Sequence, residues 1–123
     1  KRMSTLSIVI LTGTTDGSGD LTVNGEGQIN GLLYDAWWIF GSGTSGVDFV
    51  LSMQTTPGGV ADTILTATNA DANAHYPVRR AEVGVTGSAT GAYSYPPVVG
   101  VPRLVVSSGG ATKTYTLVLY YFK

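Results

Sequence analysis

Residues 112–122 read Thr-Lys-Thr-Tyr-Thr-Leu-Val-Leu-Tyr-Tyr-Phe. In an extended strand successive side chains point to opposite sides. Tyr115, Leu117, Leu119 and Tyr121 then share one face, while Val118, Tyr120 and Phe122 share the other. Branched and aromatic residues at this density favour a strand. Both faces are apolar, so a single buried side does not account for the segment.

The same period of two runs through most of the chain. Thr5–Thr12 reads as a strand with Leu6, Ile8 and Ile10 on one face and Val9 and Leu11 on the other. Leu21–Val23 is a short strand, and Asn24-Gly25 after it is a strong hairpin signal. Gln28–Phe40 is a long apolar strand interrupted at Asn30-Gly31. Read as regular, it sets Leu32, Tyr34, Trp38 and Phe40 against Leu33, Trp37 and Ile39. Val47–Gln54 alternates cleanly, and Thr63–Thr68, Arg80–Thr86 and Val101–Ser107 read as further strands. Turn residues fill 13–19, 41–46, 56–59 and 108–110, and 87–99 reads as a loop rich in Gly, Tyr and Pro. A short helix is the alternative for Asn69–Ala74. About eight strands at hairpin spacing predict an all-β fold, an antiparallel β-sandwich or jelly roll. No linker or repeat divides it, so residues 1–123 form a single β-sandwich domain.

Composition narrows the function classes. Charged residues are 12% of the 123, half the usual share of about 25%. A net charge of -1 and a pI near 5.6 argue against nucleic acid as a partner. The charges are uneven, because Lys1, Arg2 and Lys123 are terminal and leave an acidic body. The absence of Cys excludes disulfides, thiolate metal sites and Cys nucleophiles. No apolar run is long enough to span a membrane, and Ile8–Leu11 is too short for a signal-peptide core.

Candidate chemistry is sparse. His75 is the sole imidazole, set in a polar/Ala alternation from Asn69, which reads as a loop or edge strand. Asp16-Gly-Ser-Gly-Asp20 has oxygen ligands at calcium-loop spacing, but its twelfth position is Gly27 instead of Glu. No pair of carboxylates is singled out for acid–base work, and no glycine loop opens a helix. The expectation is a protein that is not an enzyme, with no cofactor and no metal. Tyr34, Trp37, Trp38, Tyr76, Tyr93 and Tyr95 offer a sugar-stacking platform as an alternative. Tyr93-Ser-Tyr-Pro-Pro97 is a stiff extended segment, suited to lying on a neighbour. The expected partner contacts are Lys1, Arg2, Trp37, Trp38, Tyr93, Tyr95, Pro96, Pro97, Tyr120 and Phe122.

The layout resembles small proteins encoded among the head genes of tailed bacteriophages. The resemblance is carried by Asp16–Asp20, Asn30-Gly-Leu-Leu33, Gly46-Val-Asp-Phe49, Thr66-Ala-Thr-Asn69 and Ala74-His-Tyr-Pro77 with Arg79. It continues through Pro97, Pro102-Arg-Leu-Val-Val106, Gly109-Gly-Ala-Thr-Lys113-Thr and the terminal apolar strand. The Trp pair and the heavy Tyr120-Tyr-Phe122 ending depart from it. The resemblance implies a virion structural protein, a capsid decoration or cement protein. It would bind the major capsid protein and copies of itself, as a homodimer or homotrimer. Its place would be the outer capsid surface, after a period in the host cytoplasm. A neck or tail subunit, or a carbohydrate-binding module, are the alternatives.

Overall fold

The computed structural model describes residues 5–54, 61–83 and 85–123. Ten strands and no helix occupy them: β1 (Leu6–Thr14), β2 (Leu21–Asn24), β3 (Ile29–Ile39), β4 (Asp48–Gln54), β5 (Ala61–Ala67), β6 (Ala74–Tyr76), β7 (Arg80–Val83), β8 (Ala89–Ser94), β9 (Pro97–Ser107) and β10 (Thr114–Phe122). The fold is all-β and every pairing is antiparallel. The expected loop over 87–99 is corrected: it contains β8 and the start of β9. The turn expected at Thr56–Gly59 lies outside the described residues.

The strands follow the path β1-β10-β3-β9-β4-β5, with β2 beside β9 and β6 beside β3. This sheet folds over itself. β1, β10, β3 and β6 form one layer, and β2, β9, β4 and β5 the other. Strand β9 belongs to both: Pro97–Gly100 pairs with β3, whereas Val101–Ser107 pairs with β4. Gly100, at φ +126°, marks the change of layer with a backbone angle that favours glycine.

Consecutive strands mostly avoid one another. Among the described residues only β4–β5 and β7–β8 are sequence neighbours that pair. Asn24-Gly25 therefore does not close a hairpin. Gly25 N–H donates to the Pro102 carbonyl at 2.8 Å, and the chain crosses from β2 in one layer to β3 in the other. The link from β9 to β10 is likewise a crossing. Thr15 holds it: its hydroxyl donates to the Gly110 carbonyl at 2.5 Å and accepts from Lys113 N–H at 2.9 Å.

Strand β3 is not regular. Its pairing with β10 shifts between Tyr120 and Tyr121, which face Asp35 and Leu33 respectively, so Tyr34 is the extra residue. A bulge changes which side the following residues face. Ile29 and Leu33 point inward on odd numbers, and Ala36 and Trp38 then point inward on even ones. The expected faces of this strand are corrected accordingly. Trp38 belongs with Leu33 in the core, and Trp37 is outside.

The core lies between the layers. Trp38 is fully enclosed, stacked 4.3 Å from Phe49 and 5.3 Å from Tyr115. Its indole N–H donates to the Ala70 carbonyl at 2.9 Å. Such ring pairs contribute about 0.5–1.5 kcal/mol each beyond area burial. Tyr115 is enclosed too; its hydroxyl donates to Gly109 O at 2.8 Å and accepts from Thr44 N–H at 2.9 Å. Leu11, Leu33, Leu117 and Leu119 fill one layer, and Val47, Leu51, Met53, Leu104 and Val106 the other.

Candidate interaction surface

Register builds the outer face of the first layer. Ile10, Val118, Trp37 and His75 lie in one row across β1, β10, β3 and β6. The next row is Ile8, Tyr120 and Asp35, and the last is Leu6, Phe122 and Leu32. At the other end Thr12 meets Thr116 at 2.8 Å and Thr14 meets Thr114 at 3.0 Å, hydroxyl to hydroxyl. The face is thus polar at one end and apolar at the other. Leu6, Ile8 and Ile10 are 49%, 57% and 62% exposed. Their opposite neighbours Val9 and Leu11 pack inward.

Aromatic rings gather at the apolar end. Tyr34 meets Tyr95 at 5.6 Å and Phe122 at 5.4 Å, edge to face. The Arg79 guanidinium lies 4.2 Å over the Tyr95 ring, and it donates to the Tyr34 carbonyl at 3.0 Å. Trp37 is half-buried beneath the His75 ring, 4.2 Å away. His75 Nδ1 donates to Asp35 Oδ2 at 2.6 Å, while Asp35 Oδ1 is enclosed and has no hydrogen-bond partner among the described residues. This pair orients an imidazole beside a shallow hollow of about 340 Å³ lined by Ile64, Thr66, Tyr76 and Val78. Among the described residues no group of three or more His, Cys, Asp or Glu could hold a metal.

The second feature is a ribbon of two strands. Among the described residues β7 and β8 pair only with each other. Every residue of β8 is exposed, Tyr93 by 68%, and Val85 in the connecting turn is fully exposed. The base is tied to the body by Arg80, whose guanidinium donates to Asp62 at 3.2 Å.

The turn with calcium-loop spacing closes on itself. Asp16 Oδ1 accepts from Ser18 N–H at 2.8 Å and from Asp20 N–H at 3.0 Å. These bonds, the Asp20 amide foremost, hold its carboxyl below its ordinary pKa of 3.8.

The expected contact residues divide. Trp37, Tyr95, Tyr120 and Phe122 are half-buried on or beside the outer face, and Tyr93 and Pro97 are exposed. Trp38 and Pro96 are corrected: both are enclosed, and the Pro96 carbonyl accepts from Leu33 N–H at 3.0 Å. Lys1 and Arg2 lie outside the described residues. Sequence reasoning missed Leu6, Ile8 and Ile10 as contact residues, and Arg79 over the rings. The stripe was visible, but nothing local said which of the two faces of β1 meets a second layer. No family model, curated protein or solved structure matches the chain.

Proposed function

We propose that this chain is a non-enzymatic structural subunit whose work is done by burying surface. Its resemblance to phage head proteins points to a capsid decoration or cement protein on the outer face of the head. The observation that carries the reading is the β7–β8 ribbon, whose strand β8 is exposed on both faces. A two-stranded ribbon is marginal alone in water. Laid on a neighbouring protein it gains the second layer that it lacks. The apolar end of the outer face adds a further patch of the kind that marks interaction sites.

The mechanism is bridging. Each copy would span adjacent major capsid subunits, gaining about 25 cal/mol per Å² of apolar surface covered, less the cost of ordering. A small gain repeats over the many equivalent sites of a head. The sugar-binding alternative has less support, because stacking needs an open ring face. His75 covers one face of Trp37, and Arg79 lies over Tyr95.

The test uses expanded phage heads that lack the protein. Added protein should co-sediment with the heads and raise their melting temperature. Heads that neither bind the protein nor gain stability overturn the capsid reading. Binding to tail or neck complexes instead would place the subunit elsewhere in the virion.

A further inference from the structure

We propose that β1 pairs with β1 of a second copy, antiparallel about a two-fold axis at Ile10, to make one sheet across two chains. This goes beyond the capsid reading and does not depend on it. Lys123 N–H donates to Thr5 O and Thr15 N–H to Lys113 O. In an antiparallel ladder, bonded pairs alternate. The odd-numbered residues of β1 therefore face β10, and Leu6, Ile8, Ile10, Thr12 and Thr14 turn their N–H and C=O outward. β1 ends the strand path, and none of these groups has a backbone partner among the described residues.

An edge like this is normally guarded. Natural edges carry Lys, Pro or bulges that prevent pairing with another chain. Between Thr5 and Thr15 there is no charge and no proline, and the register with β10 runs unbroken for nine residues. The opposite end of the path, β5, is different. It carries Asp62 paired with Arg80, and its register with β4 slips at Leu51/Ser52. Among the described residues no strand covers this edge of β1. Glu26–Gln28 stand off from Ile8, Val9 and Ile10 across a groove of about 520 Å³.

The occupant is a second copy because the edge is complementary to itself. With Ile10 opposite Ile10, Ile8 meets Thr12 and Leu6 meets Thr14. All are outward-facing residues, so every free N–H and C=O on both strands finds a partner. A slip of two residues leaves an outward-facing residue unpaired on each copy. The exposed side chains of Ile8 and Ile10 from the two copies then lie next to one another on the outer face.

Sedimentation equilibrium of the full chain should give a dimer. Ile10→Lys should shift it to a folded monomer with an unchanged far-ultraviolet spectrum, because that side chain faces solvent in the single copy, and its melting temperature should fall only by the lost association. Ile8→Pro removes an outward N–H and should do the same. Register is read by cross-linking, which the lack of native cysteine keeps clean. Paired residues stand about 5.5 Å apart at Cα, within reach of a disulfide. Ile10→Cys should therefore link two chains under mild oxidation, and Thr14→Cys should not. A monomer at millimolar concentration, a dimer that survives Ile10→Lys, or linkage through Thr14→Cys and not Ile10→Cys would each overturn the proposal. Capsid binding by a strictly monomeric chain would sink this pairing and leave the capsid reading standing.

Discussion

The body and the β7–β8 ribbon are built from the same alternating backbone, yet they hold their side chains in opposite circumstances. In β10 every second residue, from Tyr115 to Tyr121, is buried. In β8 none is. Alternation gives a strand two faces, but only a second layer turns a face into a core. Stability is therefore concentrated in the body, whereas the ribbon offers surface and no core.

Substitution tests that division most severely at its centre. Trp38→Ala removes both ring stacks and the bond to Ala70, and should cost about 3–5 kcal/mol in urea unfolding. A loss below about 1 kcal/mol would mean that the layers do not hold the body. Gly31→Val comes next, since a Cβ there would meet the Phe122 carbonyl. Such overpacking should cost about 1–3 kcal/mol, read as a lower melting temperature. Tyr115→Phe keeps the packing but strands Thr44 N–H and Gly109 O, for a loss of about 1–2 kcal/mol.

Asp16→Asn bears on an exposed turn, and its effect is in pH dependence. The native carboxyl titrates below 3.8. Its contribution is therefore present above that value and fades as pH falls through the lower native one. The stability difference between wild type and Asp16→Asn should be full at pH 6 and shrink toward pH 2. A difference independent of pH would show that the turn bonds do not favour the charged form. The smallest effect belongs to the ribbon. Tyr93→Ala should change stability by less than about 0.5 kcal/mol while weakening attachment to heads. A large loss of stability would erase the contrast between the two regions.

Much of this was legible from period alone. Val47, Phe49, Leu51 and Met53 alternate in sequence and are all enclosed, as are Tyr115, Leu117 and Leu119. Three things were not legible, each for a physical reason. The bulge at Tyr34 reverses the phase of β3, and it depends on a partner strand about 85 residues further along the chain. Asn24-Gly25 has hairpin chemistry, but β2 is claimed by β9 and β3 by β10, which outweighs a local turn. β8 reads as a loop because Ala-Thr-Gly-Ala-Tyr-Ser has no apolar stripe, and its pairing comes only from β7. The contact surface was half visible: the outward aromatics of β10 follow from the period, whereas the exposed edge of β1 needs the full strand order.

Strand β10 also governs how the fold can arise. It lies between β1 and β3, yet it follows every other strand in the chain. Leu6 pairs with Phe122 across more than a hundred residues. Until β10 is in place, the odd-numbered residues of β1 lack their ladder partner and the Trp38 stack lacks Tyr115. Contacts this distant in sequence make for slow folding. Assembly of the first layer is accordingly all or none, and a chain truncated before Thr114 would lose the middle of a layer and not its margin.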